Sequence, residues 1–78
     1  MVRCRDGSLY TGITLDVNRR VAEHNGSVRG ARYTRSRRPV VLVLASLCGS
    51  RSKAAKREFC IKSLSKWQKE ILVAREEL

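Results

Sequence analysis

The segment from Ser8 to Ile13 predicts a strand, in which Leu9, Thr11 and Ile13 share one face and Tyr10 and Gly12 the other. A second short segment, Val2 to Arg5, precedes it, and the pair Asp6-Gly7 between them is a strong hairpin signal. The run from Val40 to Ala45 is apolar, rich in β-branched residues and uncharged. It predicts a third strand that is covered on both faces.

Helical periodicity begins after Asp16, whose carboxylate can cap a helix, and ends at Asn25-Gly26. The stripe that this helix would turn toward the core contains Val17, Val21 and His24. Residues 27–38 are polar and rich in Gly and Arg, so we expect them to form a loop.

Two further helices are predicted after the third strand. Ser50 or Ser52 caps the first of them, which runs to about Ser63, and Ser65 with Gln68 forms a capping box for the second. The apolar stripe of the last helix contains Trp67, Ile71, Ala74 and Leu78, and Trp67 is expected in the core. Residues 1–78 show no repeat or linker and therefore predict one α+β domain in the order β-β-α-β-α-α.

The charge of the chain limits its partners. The sequence has 17 Lys and Arg against 7 Asp and Glu, a net charge of +10, and the stretch from His24 to Arg57 contains no acidic residue. Such an excess predicts a polyanionic partner whose affinity falls with salt. No apolar run is long enough to span a bilayer, and no helix pairs a wide apolar face with a basic one. We therefore expect nucleic acid, in the first place DNA, and no membrane.

The three cysteines, Cys4, Cys48 and Cys60, are too widely spaced to match a zinc-ligand pattern, and an odd number leaves one outside any disulfide. We expect reduced thiols in a cytoplasmic protein, since no secretory signal is visible. No small-molecule cofactor is predicted.

Arg20 and His24 lie four residues apart on the first helix and so project from one face, at the edge of its apolar stripe. A guanidinium that is partly removed from water binds phosphate strongly through paired donors. The alternative is a surface arginine and a helix-terminal histidine that interacts with the helix dipole. Spacing alone leaves both open.

Glu58 is the only carboxylate between Glu23 and Glu70 and falls between Ala54 and Ile61 on one side of the second long helix. It is either an ion-pair partner or a hard oxygen ligand for Mg²⁺. Tyr10 falls in the second predicted strand, two residues before Gly12. Glycine within a strand often marks the close approach of a helix or a ligand.

The segment that follows the first helix combines positive charge with one aromatic ring. Several of its side chains are candidate contacts to a nucleic-acid backbone, although the same run can be only solvated charge. These candidates are Arg32, Tyr33, Arg35, Arg37 and Arg38.

In this order and spacing, the chain resembles the GIY-YIG nuclease superfamily, in particular its small stand-alone single-domain bacterial members. Tyr10-Thr11-Gly12 stands where the superfamily has Tyr-Ile-Gly, Arg20 matches its helix arginine, and His24-Asn25 resembles a His-Asn pair of some members. Residues 50–65 resemble the helix with its metal-binding glutamate, and 31–40 are typical of the stand-alone group.

The resemblance implies a three-stranded antiparallel sheet flanked by three helices and metal-dependent hydrolysis of a nucleic-acid backbone. Carried over, Glu58 would hold one Mg²⁺ (or Mn²⁺), Arg20 would bind the phosphate, and Tyr10 or His24 would activate water. Imidazole titrates nearer to neutral pH than a phenol, which favours His24 chemically, but the division of labour stays open.

The first tripeptide of the superfamily, Gly-Ile-Tyr, is missing, since its tyrosine would fall just before Met1, and no asparagine follows Asn25. The alternative hypothesis is therefore a catalytically impaired nucleic-acid-binding module of the same fold, and a third is a protein-interaction role. A short first strand leaves an edge that could pair with another copy. We expect a monomer or a weak homodimer.

Overall fold

The computed structural model of the chain describes residues 1–76. In chain order the elements are β1 Val2–Arg3, β2 Leu9–Tyr10, α1 Val17–Gly26, α2 Arg32–Arg35, β3 Val41–Leu42, α3 Arg51–Lys62 and α4 Lys66–Glu76. The predicted α+β order is confirmed. The single-turn α2 is an addition, since it lies inside the segment expected to be a loop. None of the helices described is long and apolar enough to cross a bilayer.

The three strands form one antiparallel sheet in the order β2-β1-β3. Val2 of β1 lies opposite Tyr10 on one side and Leu42 on the other. Because β1 is the central strand, both of its sides are hydrogen-bonded, and the expectation that it offers an edge for a second copy is wrong.

The β1–β2 hairpin turns at Asp6-Gly7, as predicted. Gly7 has a φ of +86°, a left-handed conformation that glycine adopts without strain, and Asp6 Oδ1 accepts a hydrogen bond from the Ser8 amide at 3.0 Å. The strand β2 is shorter than predicted and ends at Tyr10, because the chain leaves the sheet there and runs along a cleft described below.

The third strand is also shorter and less buried than its sequence indicates. Val40 and Leu44 are buried, whereas Val41 and Leu42 are exposed, so the prediction that both faces are covered is wrong. A chain of this length has too little mass to cover both faces of its sheet.

A small core joins the sheet to α1. Val2, Cys4 and Val40 form its centre, and Tyr10 and Val21 pack against them. The three cysteines are free thiols, as expected, with Cys4 buried and Cys60 exposed.

The side chain of Asn25 fixes the end of α1 to the start of β3. Its amide nitrogen donates to the Val40 carbonyl at 3.0 Å, and its oxygen accepts from the Val40 amide at 2.6 Å. The asparagine thus replaces a neighbouring strand as the hydrogen-bond partner of Val40.

The predicted helix caps are confirmed. Asp16 accepts a hydrogen bond from the Arg19 amide at 3.1 Å, and Ser50 accepts one from the Lys53 amide at 3.1 Å. Ser65 and Gln68 exchange two hydrogen bonds between side chain and backbone, which is the capping box. These local signals therefore set where the three longer helices begin.

The buried face of α4 differs from the predicted one. Trp67 is 73% exposed, so its assignment to the core is wrong, and Ile71 and Ala74 are exposed as well; Leu78 lies outside the described residues. Arg3 of β1 binds Glu70 through two hydrogen bonds of 2.8 and 2.6 Å, and Val73, one turn further on, is buried. This pairing sets the rotation of the helix, and Trp67 lies about 120° away from Val73 around its axis.

Candidate active site

A cleft of about 660 Å³ opens between the end of β2, α1 and the start of α3. Tyr10, Arg20, His24 and Glu58 all line it, together with Gly12. Three separate segments thus bring a phenol, a guanidinium, an imidazole and a carboxylate to one cavity. Its volume is in the usual range for ligand sites in proteins.

Tyr10 reaches the cleft from the last residue of β2 and is held between aromatic neighbours. The His24 ring meets it edge-on, with centroids 5.4 Å apart, and the Tyr33 ring stacks on it at 5.8 Å. A Cβ on Gly12 would meet the Tyr10 ring at an ordinary contact distance of 3.6 Å. Packing within the protein therefore does not require glycine there, and the approach of a ligand to Gly12 stays a prediction.

His24 is almost completely buried, with 3% of its surface exposed. Its Nδ1 lies 2.9 Å from the Thr34 hydroxyl and accepts a hydrogen bond from the Ala31 amide at 3.3 Å. A backbone amide can only donate, so the Ala31 contact favours a proton on Nε2, whereas a Thr34 hydroxyl that donates to the Ala31 carbonyl would accept from a protonated Nδ1.

The surroundings of His24 favour its neutral form. Burial lowers the pKa of His24 below its usual 6.5, and the positive charges of Arg20 and Arg38 lower it further, against an opposing effect of Glu23. At neutral pH the ring is therefore uncharged.

The partners of His24 reach it because the chain folds back tightly over the end of α1. Gly30 is buried, and a Cβ at this position would lie 2.6 Å from the Glu23 carbonyl oxygen and 3.0 Å from the His24 Cα. The Arg38 guanidinium donates to the carbonyls of His24 and Ser27. Arg38 therefore caps α1, a role that its sequence context did not indicate.

Arg20 is held in the cleft by its own neighbours. Its Nη1 donates to the Arg29 carbonyl at 2.7 Å and to Glu23 Oε1 at 3.3 Å. The side chain is 33% exposed, against 67% for the adjacent Arg19, which does not line the cleft. Arg20 therefore lies at the edge of the apolar face of α1, as its position in the sequence predicts, and its binding of phosphate stays a prediction.

Glu58 lies on the cleft wall with 24% of its side chain exposed and pairs with Lys62 at 3.7 Å. In the described chain, residues 1–76, no group of three or more His, Cys, Asp or Glu side chains could hold a metal ion. Mg²⁺ is often bound by one carboxylate together with water and substrate phosphate oxygens. The single hard oxygen donor of Glu58 fits that mode of binding, although the same carboxylate is also an ion-pair partner.

The basic segment 31–38 is largely engaged by the protein itself. Arg35 donates to the Val28 carbonyl at 2.6 Å, and Arg37 pairs with Asp6 at 3.0 Å while its guanidinium lies 3.9 Å from the centre of the Tyr33 ring. Arg32 is exposed. Contact of these residues with nucleic acid stays a prediction.

Two residues that organise the site, Gly30 and Thr34, were missed by sequence reasoning. Thr34 is fully buried against His24, and its hydroxyl also lies 2.9 Å from the Ala31 carbonyl. The only sequence signal was the position of Thr34 inside the segment typical of the stand-alone group. Neither periodicity nor charge marks a buried threonine in a polar loop.

Comparison with known proteins shows one family model and a group of similar small proteins. A family model described as the GIY-YIG catalytic domain matches residues 1–70. A UPF0213 protein of Desulfotalea psychrophila is 57% identical over 77 residues, which covers 99% of this chain and 70% of that protein. UPF0213 proteins of Staphylococcus haemolyticus (51%, covering 88% and 83%) and Halobacterium salinarum (53%, covering 92% of each) are similar too. No solved structure matches the chain.

The backbone at Gly30 passes so close to the end of α1 that a methyl group there is predicted to destabilise the fold. Gly30→Ala should lower the free energy of unfolding by about 2 kcal/mol, because the added Cβ overlaps backbone atoms that cannot move aside cheaply. Urea unfolding of both chains measures the change. The matched control is Gly26→Ala, where a Cβ meets nothing within 4 Å; an equal loss in both variants would contradict the prediction.

The burial of His24 predicts how stability depends on pH. Because folding lowers the pKa of His24 below its unfolded value of about 6.5, the unfolded chain binds more protons below that pH, and the folded state loses stability as pH falls. The stability advantage of the wild type over His24→Gln should therefore be full at pH 8 and shrink on acidification below about 6.5.

Thermal unfolding of the two chains between pH 8 and pH 5 measures this difference. The buried amino group of Met1, whose pKa is also lowered, is present in both chains, and its charge is the smallest of the effects on the pKa of His24. The lowered pKa values of Asp6 and Glu70, which are hydrogen-bonded to Ser8 and Arg3, act only below about pH 4.5. A difference that stays constant over this range would refute the assignment.

Proposed function

The chain belongs to the GIY-YIG catalytic domain family, and on that premise we propose that it is a metal-dependent endonuclease that hydrolyses a phosphodiester bond of DNA. The family gives it a nuclease-type fold and points to nucleic acid as its substrate. The observation that carries the proposal is that Tyr10, Arg20, His24 and Glu58 line one cleft.

The electrostatics of the cleft support a phosphodiester substrate. Arg51 and Arg57 line it in addition to Arg20, and the whole chain carries a net charge of +10. Positive potential concentrated in a cleft attracts a polyanion and speeds its association. Glu58 is the acidic side chain in this lining and so marks the position where a cation would be favoured.

We assign Glu58 to a single Mg²⁺ or Mn²⁺. When bound, such an ion acts as a Lewis acid that polarises phosphate oxygens and stabilises a leaving oxygen. The carboxylate itself supplies a hard oxygen donor on the cleft wall.

Arg20 would bind the negative charge of the scissile phosphate. Its contacts with the Arg29 carbonyl and Glu23 fix the side chain before any substrate arrives. A donor that is already oriented loses little entropy on binding and does not reorganise while charge develops on the phosphate.

For the proton transfer we assign Tyr10 as the acceptor and His24 as a hydrogen-bond donor. The Nδ1 of His24 is engaged by Ala31 and Thr34, and we take the tautomer that the Ala31 amide favours, with the proton on Nε2. In this tautomer Nε2 offers an N–H and no lone pair. Tyr10 would take the proton from water as its phenolate, after its own proton has passed to solvent, because Glu58 is assigned to the metal ion.

Two substitutions test the nuclease proposal. Glu58→Gln and Arg20→Ala should each lower the Mg²⁺- or Mn²⁺-dependent cleavage of plain, flapped and branched DNA at least about 100-fold. The first removes the anionic ligand of the metal ion, and the second removes a positive charge that stabilises the transition state. Purified protein and end-labelled substrates measure the rates.

The controls are Arg19→Ala and Lys62→Gln. Arg19 neighbours Arg20 and also pairs with Glu23 but lies outside the cleft, while Lys62→Gln breaks the ion pair and leaves the Glu58 carboxylate in place. Both should cleave within about threefold of the wild type. Salt-dependent DNA binding without cleavage would instead identify a binding module.

A second pair of variants separates the roles of the phenol and the imidazole. Tyr10→Phe removes the proton acceptor and should slow single-turnover cleavage at least about 100-fold. His24→Gln keeps an N–H donor near the Nε2 position and should lose much less. If His24→Gln is folded and as slow as Tyr10→Phe, the base is His24.

A further inference from the structure

Tyr33 is the outer member of an aromatic pair with the candidate proton acceptor. Its ring is within 19° of parallel to that of Tyr10, with centroids 5.8 Å apart. Offset stacking at this separation is favourable and orients both rings. Tyr33 does not belong to the lining of the cleft, and its ring contact with Tyr10 connects it to that lining.

The position of Tyr33 is itself fixed by Arg37. The guanidinium lies over the ring at 3.9 Å, and its Nη1 donates to the Tyr33 carbonyl at 2.8 Å. Its Nε binds Asp6 at 3.0 Å, in the turn that leads into β2 and therefore to Tyr10. Arg37 therefore links Tyr33 to Asp6 in the turn of the β1–β2 hairpin. This link holds Tyr33 against Tyr10, which lies in the same hairpin.

We propose that Tyr33 is a positioning residue for Tyr10, and that its ring, held by Arg37, maintains the orientation of the Tyr10 phenol in the cleft. The kinetic part of this proposal rests on the proposed nuclease function. The strand that carries Tyr10 ends at that residue, so the backbone alone gives the side chain little support. Another staggered rotamer would move the phenol oxygen by several ångströms, and errors near 1 Å cost about 100-fold in rate.

This role differs from direct contact between Tyr33 and nucleic acid, which the sequence suggests. A stacking platform for a base would contribute to affinity, whereas a positioning residue contributes to the rate of the bound complex. The effect on kcat against KM therefore separates the two.

The composition of the chain makes the test direct. It has two tyrosines and one histidine, so in any Tyr33 variant Tyr10 is the only tyrosine, and its ring contact with His24 gives an unambiguous nuclear Overhauser effect. The variants are Tyr33→Leu, which removes the ring, and Tyr33→Phe, which keeps the ring and removes the hydroxyl.

We expect Tyr33→Leu to lower kcat at least about tenfold with KM within about twofold, and to weaken the Tyr10–His24 nuclear Overhauser effect. Tyr33→Phe should restore both. In a Tyr10→Phe background, Tyr33→Leu should have no further effect on the rate, because the two residues act as one unit. A Tyr33→Leu protein with wild-type kcat, or with a raised KM and unchanged kcat, overturns the proposal.

Two further measurements keep the outcome decisive. If no substrate is cleaved by the wild type, the nuclease proposal fails, and the positioning claim is judged by the nuclear Overhauser effect alone; an intact signal in Tyr33→Leu refutes it. If Tyr33→Leu does not fold, Asp6→Asn replaces it, because this change breaks the ion pair of Arg37 and should lower kcat in the same direction. An unchanged kcat in Asp6→Asn would then count against the proposal.

Discussion

The carbonyl groups at the C-terminal end of α1 have no partners within the helix, and the guanidinium of Arg38 binds those of His24 and Ser27. This contact requires the chain to return over the helix end, which Gly30 permits because it has no Cβ. The return brings Ala31 and Thr34 to the His24 ring and places Tyr33 beside Tyr10. The geometry of the candidate site therefore follows from how the carbonyl groups at the end of α1 are hydrogen-bonded.

The same arrangement explains why so basic a segment is ordered. Arg35, Arg37 and Arg38 each donate to a carbonyl or a carboxylate of the chain. These charge-assisted hydrogen bonds hold residues 27–38 in place. The remaining excess charge still surrounds a cleft that contains Glu58. A single negative side chain in a positive cleft suits a site that holds a cation only together with a phosphate.

The sheet provides a small but sufficient base for the site. Its central strand β1 is bonded on both sides and is tied to α4 through Arg3 and Glu70, while Asn25 ties α1 to β3. With two hydrogen-bonded residues in each strand, these side-chain links supply connections that longer strands would make through their backbones.

The sequence by itself determined the features that depend on neighbouring residues. The caps at Asp16, Ser50 and Ser65, the turn at Asp6-Gly7 and the order of the elements are all set within a few residues of chain, where local hydrogen bonds dominate. The resemblance to a known family also gave Tyr10, Arg20, His24 and Glu58 as candidates, and the fold brings these four residues to one cleft.

Only the tertiary structure decided which surfaces are covered and which contacts hold the site. Periodicity assigned Trp67 to the core, but the distant pair of Arg3 and Glu70 sets the rotation of α4 and leaves Trp67 exposed. Likewise, no local pattern shows that Arg38 caps α1 or that Tyr33 stacks on Tyr10. Such contacts join residues that are far apart in the chain, and their partners are known only once the whole domain has packed.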